Sequence, residues 1–268
     1  MPAENTRPII GVFDSGVGGL TVLRELLVQV PGADYIYFGD TARLPYGSKS
    51  AATVAKYACS AVQYIEQLGA GMIVIACNTA CALAYPDIER CVKVPVMGVI
   101  RPGAETTAKT SHSKNVVVIA TEGTVGSHAY AKALAELQIT AEEKACPLFV
   151  PLVEEGWTDH PVTEQIAHIY LDDLTRSDSP ADVLLLGCTH YPLLKDLLRR
   201  VVPPHMAIVD SAESTAKKVA TDMPRLATST IAPTIRFLAT DSIEKFHCAS
   251  TKFLGNTITT VSLIDIEL

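Results

Sequence analysis

Two short apolar runs, each ending in a cysteine, place the strongest constraint on how this chain folds. Residues 72–76 read Met-Ile-Val-Ile-Ala and precede Cys77, and residues 182–187 read Asp-Val-Leu-Leu-Leu-Gly and precede Cys188. A continuous apolar run of this length, bounded by turn-forming residues, is typical of a parallel strand buried on both faces. Because α/β proteins bind ligands at the carboxyl ends of such strands, the two cysteines are predicted to form a paired site.

The segments that precede the two cysteines resemble each other and indicate an internal duplication. Residues 11–16, Gly-Val-Phe-Asp-Ser-Gly, align with residues 118–123, Val-Ile-Ala-Thr-Glu-Gly, which sets Asp14 opposite Thr121. In each half a strand is followed by a glycine-containing turn, a helix and a later strand that ends in a cysteine. The sequence therefore predicts an α/β fold with two pseudo-symmetric α/β domains, mostly parallel central sheets and an active site in the cleft between them.

The order of the predicted elements also sets the expected domain boundaries. A short strand predicted at residues 94–99 completes the first half, and the C-terminal elements resemble material from the first half's sheet. No low-complexity linker separates the halves. We therefore expect residues 1–98 plus 208–268 to form the first domain and residues 99–207 to form the second.

Composition and charge exclude several classes of function. The chain has 268 residues, 48% of them hydrophobic, and a net charge of −7. Its longest basic cluster is Arg199-Arg200, so neither a nucleic-acid partner nor binding to an anionic membrane is expected. No signal-peptide core is evident and no apolar run approaches the roughly 18 residues of a membrane span, so a cytoplasmic location is expected. The seven cysteines lack the compact, even spacing of a disulfide framework.

Two cysteines that face each other across a cleft suit proton transfer at both faces of one carbon atom. One thiolate would remove a proton while the opposite thiol supplies one, which is racemisation or epimerisation. An unperturbed thiol has a pKa of about 8.5, close enough to neutrality for neighbouring groups to tune each cysteine. Asp14 would assist on one side, and His190, two residues after Cys188, on the other.

Several motifs admit a simpler interpretation. The glycine-rich turn at residues 16–19 opens a helix and could bind an anion, but Asp14 or Ser15 could instead serve only to cap that helix. The turn has neither the dinucleotide-binding spacing nor that of a P-loop. The polar loop at residues 39–50 could bind a ligand or merely connect two elements. Cys81, four residues after Cys77, fits a packing role in a helix better than a functional one.

Two other classes of protein use cysteine and histidine. A metal site would draw on Cys77, Cys81, Cys188 and His190, but Cys-x₃-Cys with Cys-x-His lacks the usual zinc spacing, so no metal is expected. A cysteine hydrolase would use Cys188 as the nucleophile and His190 as the base. That function leaves Cys77 and the duplication unexplained.

Four motifs make the chain resemble the aspartate/glutamate racemase superfamily, and within it the glutamate racemases, over essentially its whole length. They are Phe-Asp-Ser-Gly-Val-Gly-Gly at residues 13–19, Leu-Pro-Tyr-Gly-Ser at 44–48, Ala-Cys-Asn-Thr-Ala at 76–80 and Gly-Cys-Thr-His-Tyr-Pro at 187–192. They occur in the family's order and at similar spacing. The nearest alternative is a racemase of aspartate or a hydantoin, which would share both cysteines and differ around residues 44–48.

The resemblance implies a cofactor-independent, two-base enzyme that interconverts L- and D-glutamate. Cys77 would take the proton from D-glutamate and Cys188 from L-glutamate, assisted by Asp14, His190 and Glu154; the adjacent Glu155 is the alternative to Glu154. The product would be D-glutamate for peptidoglycan synthesis in a bacterium, and a homodimer is expected. The loop around Tyr46 would recognise the side-chain carboxylate. The implied substrate contacts are Ser15, Pro45, Tyr46, Gly47, Asn78, Thr79, Thr121 and Thr189.

Overall fold

The computed structural model describes residues 7–176, 179–258 and 260–266, and it confirms the α/β class. The strands of this described part are β1 (Ile9–Asp14), β2 (Asp34–Gly39), β3 (Met72–Ile75), β4 (Val96–Gly98), β5 (Asn115–Ala120), β6 (Thr140–Ala145), β7 (Val183–Gly187), β8 (Ala207–Asp210), β9 (Ile235–Ala239) and β10 (Ser262–Leu263). The α-helices are α1 (Leu20–Gln29), α2 (Ala51–Gln67), α3 (Asn78–Cys91), α4 (Ile100–Thr110), α5 (Glu122–Ser127), α6 (Ala129–Ala135), α7 (Phe149–Glu154), α8 (Pro161–Leu171), α9 (Lys195–Val201), α10 (Ser211–Asp222) and α11 (Ile243–Leu254).

The first sheet contains six parallel strands in the order β10-β9-β2-β1-β3-β4. Every residue of β3 is buried, as the apolar run predicted. Strands β1 and β3 lie side by side with Phe13 paired to Ile75. Because the strands are parallel, Asp14 at the end of β1 and Cys77 just beyond β3 reach the same edge of the sheet.

The second sheet contains four parallel strands in the order β6-β5-β7-β8. Ala120 of β5 pairs with Gly187 of β7, so Thr121 and Cys188 follow at one sheet edge. The order β6-β5-β7-β8 repeats the order β2-β1-β3-β4 of the first sheet. This correspondence makes β5 the counterpart of β1 and β7 the counterpart of β3, as expected for pseudo-symmetric halves.

The position of strand β8 shows where the chain leaves the second sheet. It pairs in parallel with β7, so residues 208–210 belong to the second sheet rather than to the first half, where the sequence had placed them. Helix α10 follows directly and packs against α1 and α4, and β9 then returns to the first sheet. The division into 1–98 plus 208–268 and 99–207 otherwise stays a prediction.

The secondary structure between β5 and β7 differs from the expectation. Residues 147–153, Pro-Leu-Phe-Val-Pro-Leu-Val, form a short apolar run that by itself predicts a strand. The larger part of this segment is instead helix α7, in which Phe149 and Val153 are buried one helical turn apart. Pro151 lies in the first turn of that helix, where its missing N–H costs no hydrogen bond. The strand at this place is β6, Thr140–Ala145, which has no apolar run because it is a partly exposed edge strand.

The glycine-rich turn between β1 and α1 packs against the second half of the chain. A Cβ atom added to Gly18 would lie 2.3 Å from Thr189 Oγ1 and 2.6 Å from His190 Nδ1. The hydroxyl of Thr21 donates a hydrogen bond of 2.9 Å to the main-chain oxygen of Thr189. A Cβ at Gly19 would lie 2.5 Å from Asp14 Cβ. These glycines therefore permit close contact with protein atoms.

We expect Gly18→Ala to destabilise the protein and Gly126→Ala to stabilise it slightly. The Gly18 methyl would collide with Thr189 and with the buried His190 ring, at a cost of about 2 kcal/mol. Nothing lies within 4 Å of a Cβ at Gly126 in α5, so alanine there gains about 0.5 kcal/mol from lower backbone entropy in the unfolded chain. Urea unfolding of both variants measures the difference. A Gly18→Ala protein as stable as the Gly126→Ala protein would contradict the proposed packing.

The helices and the cysteines show two further properties of the chain. Among residues 7–176, 179–258 and 260–266, no helix is both long enough and apolar enough to cross a membrane. All seven cysteines are free thiols. The acidity and reactivity of the two strand-end thiols therefore depend on the groups around them.

Candidate active site

A cavity of about 370 Å³ lies between the two halves and receives residues from the ends of strands in both sheets. Both strand-end cysteines line it. Of the catalytic and substrate-contact residues assigned from the sequence, Asp14 lies outside the lining, as does Glu155, the alternative to Glu154. Those that line it are Ser15, Pro45, Tyr46, Gly47, Cys77, Asn78, Thr79, Thr121, Glu154, Cys188, Thr189 and His190.

Cys77 is the N-cap residue of α3 and is buried. Its Sγ atom accepts a hydrogen bond from the Ala80 N–H at 3.4 Å and lies 3.4 Å from Ser15 Oγ. Burial, followed by the nearby charge of Asp14, raises the pKa of Cys77 to about 12, while the Ser15 and Ala80 donors oppose the rise. Cys77 is therefore a thiol at neutral pH, with two donors placed to stabilise a thiolate.

Asp14 is the last residue of β1 and is buried. It interacts electrostatically with Cys77. Its Oδ2 accepts a hydrogen bond of 2.9 Å from the N–H of Gly16, whereas its buried Oδ1 has no hydrogen-bond partner among the described residues. Burial raises the pKa of Asp14, although the positive charge of His190 and nearby main-chain N–H groups oppose the rise. A buried carboxylate of raised pKa beside a thiol is a suitable proton acceptor.

On the opposite side, Cys188, His190 and Glu154 form a connected set. Cys188 Sγ lies 3.9 Å from His190 Nδ1, and His190 Nε2 lies 3.0 Å from Glu154 Oε1. Burial would lower the pKa of His190, but its contacts with Cys188 and Glu154 raise the pKa to about 10. His190 is therefore an imidazolium at neutral pH, with one N–H directed to the cysteine and the other to the carboxylate. The carboxylate in contact is that of Glu154, while Glu155 is the C-cap residue of α7.

Hydroxyl and amide groups in and beside the cavity lining connect the two halves. Thr79 Oγ1 lies 2.9 Å from Thr121 Oγ1, which in turn lies 3.0 Å from Thr124 Oγ1. Asn78 is held by Tyr130, whose hydroxyl donates a hydrogen bond of 2.6 Å to Asn78 Oδ1. These contacts join the first turn of α3 to the second half and fix several uncharged polar groups beside Cys77.

The loop that carries Tyr46 lines the cavity through residues 44–48. The Tyr46 side chain is buried, and its hydroxyl donates a hydrogen bond of 2.6 Å to Asp40 Oδ2. Asp40 also forms an ion pair with Arg43 at 2.7 Å. Because Tyr46 uses its hydroxyl inside the first half, its ring and main chain are the parts that remain to contact a ligand.

Six further residues line the cavity that sequence reasoning did not select. They are Leu44, Ser48, Glu122, Pro147, Val150 and Pro151. Leu44 and Ser48 belong to a motif already identified, and Glu122 adjoins Thr121, so adjacency was the available signal for these three. The other three lie on or beside α7, the segment expected to be a strand, and the sequence offered no signal for them.

The metal-site alternative has no ligand set in the described part of the chain, where no three His, Cys, Asp or Glu side chains converge suitably. Cys81 Sγ instead donates a hydrogen bond of 3.3 Å to the main-chain oxygen of Ile75. A second cavity, of about 510 Å³, is lined in part by Cys81. That cavity is larger, but it lacks both strand-end cysteines and His190, so its size does not make it the reactive site.

The fold and the paired thiols define a racemase-type α/β protein, and the sequence comparison agrees. Residues 10–219 match the model of the Asp/Glu/Hydantoin racemase family. This match spans more than half of the chain, so the chain belongs to that family. Within the family, its similar relatives include the glutamate racemase of Koribacter versatilis (strain Ellin345), which is 53% identical over 97% of this chain and 98% of the relative.

Solved structures give the same result. The glutamate racemase isoform RacE1 from Bacillus anthracis superposes with a TM-score of 0.91 at 35% identity, covering 97% of this chain and 98% of that one. The glutamate racemase from Francisella tularensis subsp. tularensis SCHU S4, solved in complex with D-glutamate, gives a TM-score of 0.88 at 34% identity with the same coverage. The two-sheet arrangement is therefore that of known glutamate racemases.

Proposed function

We propose that this chain interconverts L- and D-glutamate by two-base catalysis with Cys77 and Cys188 and without a cofactor. The observation that carries the proposal is the placement of these thiols, one from each half, on the lining of one cavity. They follow β3 and β7, which occupy equivalent positions in their sheets. A substrate held between them presents one face of its α-carbon to each sulfur.

The reaction consists of two balanced proton transfers. From L-glutamate, the Cys188 thiolate takes the α-proton, the electron pair of the C–H bond stays on the α-carbon, and the Cys77 thiol then donates its proton to the opposite face. From D-glutamate, the roles reverse. After each turnover the two cysteines have exchanged protonation states, so a proton must return before the same direction repeats.

Each cysteine has its own assisting group. Asp14 is placed to receive the proton of Cys77, while Ser15 and the N-terminus of α3 stabilise the resulting thiolate. At Cys188 the His190 imidazolium, paired with Glu154, stabilises the thiolate and provides a proton when Cys188 acts as an acid. The two halves therefore use different chemistry for equivalent steps.

Uncharged donors would hold the carboxylates of the substrate. Lysine and arginine are absent from the described cavity lining, whereas hydroxyl and amide side chains line it from both halves. Such neutral donors stabilise a carboxylate and a developing negative charge without a metal or a pyridoxal group. We assign substrate contact to Ser15, Pro45, Tyr46, Gly47, Asn78, Thr79, Thr121 and Thr189, with Tyr46 acting through its ring and main chain.

The proposal also covers the identity of the substrate, the use of the product and the oligomeric state. Each relative reported above is a glutamate racemase, which supports glutamate rather than aspartate or a hydantoin as the substrate. D-glutamate made in the cytoplasm would supply peptidoglycan synthesis, and the functional unit would be a homodimer.

Proton NMR of each glutamate enantiomer incubated with the protein in D₂O tests the activity. We expect loss of the α-proton signal together with formation of the opposite enantiomer, measured by chiral chromatography, from either starting isomer. Aspartate incubated in parallel separates the two substrate classes. Exchange with aspartate and not with glutamate would refute the assignment of substrate, and exchange with neither would refute the two-base mechanism proposed for this pair of amino acids.

A further inference from the structure

The C-terminal helix α11 contacts the Cys188 side of the site from outside the cavity. The helix lies between β9 and β10, both strands of the first sheet. Its last turn nevertheless reaches two residues of the second half. The contacts come from adjacent positions, Lys252 and Phe253, and they involve both members of the His190–Glu154 pair.

Phe253 packs edge to face against the imidazole of His190. The ring centroids are 5.1 Å apart and the ring planes are at 83°. The Phe253 side chain is fully buried. The two nitrogen atoms of the His190 ring contact Cys188 and Glu154. These two contacts lie in the plane of the ring, so by themselves they allow the ring to tilt about the line that joins its two nitrogen atoms. A packed aromatic ring restricts that tilt.

Lys252 fixes the main chain from which Glu154 projects. Its Nζ donates a hydrogen bond of 2.9 Å to the main-chain oxygen of Glu154, the last residue of α7. The final carbonyl groups of a helix lack partners within the helix, and a cation placed there also interacts favourably with the helix dipole. Lys252 thereby holds the end of α7 in the position from which the Glu154 carboxylate meets His190.

Helix α11 is itself anchored in the first half. The ring of Phe246 packs against Tyr37 and Phe237, with centroid distances of 5.8 Å and 6.2 Å. Arg24 of α1 donates a hydrogen bond of 3.4 Å to the main-chain oxygen of Phe253. The helix therefore links the core of the first half to the imidazolium and carboxylate of the second.

We infer that Lys252 and Phe253 are positioning residues for proton transfer at Cys188, acting through Glu154 and His190. The inference rests on the proposed function. Neither residue has to touch the substrate. Proton transfer between heavy atoms depends steeply on distance and alignment, so a tilt of His190 slows transfer at Cys188, which it contacts, far more than transfer at Cys77.

Steady-state rates alone cannot locate such a defect. Enantiomers have equal free energies, so kcat/KM is the same in both directions for any variant. Primary deuterium isotope effects do distinguish the two sides. A slower Cys188 step raises the effect measured with [2-²H]-L-glutamate, because abstraction by Cys188 limits the rate more. It lowers the effect measured with [2-²H]-D-glutamate, because donation by Cys188 follows an abstraction that has become less limiting.

The experiment compares wild type, Phe253→Leu, Lys252→Met and Phe246→Leu. Phe246 is a matched control because it is a fully buried phenylalanine on the same helix that packs in the first half's core. We expect Phe253→Leu to lower kcat about tenfold with little change in KM, and to shift the two isotope effects in opposite directions. We expect Lys252→Met to do the same more weakly, and Phe246→Leu to lower stability without moving either isotope effect.

The outcomes separate this inference from the proposed function. A wild-type protein that racemises neither enantiomer refutes the function. A wild-type protein that does so, with isotope effects unchanged in Phe253→Leu and Lys252→Met, overturns the positioning role alone. Lys252 is exposed, so its variant still tests the inference where Phe253→Leu fails to fold. Equal shifts in Phe246→Leu and Phe253→Leu would also overturn it, because the effect would then follow general loosening of α11.

Discussion

Replacing either Cys77 or Cys188 with serine is expected to lower kcat/KM about 10³-fold in both directions. A serine hydroxyl is a far weaker acid than a thiol, so it neither forms the base nor returns the proton at a useful rate. Both sulfur atoms are buried in the lining of one cavity, so the smaller, similar oxygen leaves the packing nearly unchanged. Chiral chromatography of timed incubations with each enantiomer gives the rates.

The matched control is Cys81→Ser. Cys81 is buried in the same helix, four residues beyond Cys77, and its side chain donates a hydrogen bond to the main-chain oxygen of Ile75. A serine hydroxyl can make the same bond, so Cys81→Ser should retain activity within a few-fold of wild type. Full loss in both Cys81→Ser and Cys77→Ser would indicate a structural effect. A Cys188→Ser protein that kept wild-type activity would remove Cys188 from the mechanism.

His190→Asn is expected to lower kcat/KM about 10²-fold and to change how stability depends on pH. Asparagine cannot carry the positive charge that faces Cys188 and Glu154, so it neither stabilises the Cys188 thiolate nor supplies a proton. The pKa of His190 is raised from 6.5 to about 10 in the folded protein. A raised pKa means that protonation favours the folded state.

The contribution of His190 to stability is therefore fully present below about pH 6.5 and is lost as the pH rises through about 10. Between pH 6.5 and 9, wild type should lose on the order of a few kcal/mol more unfolding free energy than His190→Asn, as measured by urea unfolding. Asp14 interacts electrostatically with the imidazole, and Cys188 and Glu154 face it, so the difference between the two curves reports the histidine together with these partners.

His168→Asn is the control for this prediction. His168 is a half-exposed histidine of α8 that also contacts a carboxylate, with its Nδ1 2.8 Å from Asp172 Oδ1. Solvent screens that pair and His168 lies outside the cavity lining, so its replacement should leave activity unchanged. A His190→Asn protein whose stability follows the wild-type pH curve would contradict the assignment of an imidazolium to the site.

Local patterns in the chain determined a large part of the fold. Strands β3 and β7 are continuous apolar runs because both faces of each are covered, and that pattern is readable without any structure. The chemistry-bearing residues Cys77 and Cys188 follow those runs directly, so their location at sheet edges was predictable. The alignment of Asp14 with Thr121 likewise anticipated the equivalent strand order of the two sheets.

The edge strand β6 and helix α7 show where local patterns fail. No residue of β6 is fully buried, so its residues Thr-Ala-Glu-Glu-Lys-Ala carry no apolar run, and pairing with β5 is what makes it a strand. The segment of α7 is short and apolar, and such segments suit a strand and a helix equally well. The burial of Phe149 and Val153 on one helical face depends on neighbours that are distant in sequence.

The fold class, the two strand-end cysteines and most of the residues around the cavity were predictable from the amino-acid sequence. The contacts between distant groups were not: Gly18 packs against the ring of His190, the hydroxyl of Tyr46 binds Asp40, and Phe253 packs on the imidazole. The difference lies in the separation of the interacting residues along the chain. Strand and helix patterns arise from residues close in the chain, whereas these contacts require two sheets and a C-terminal helix to have packed together first.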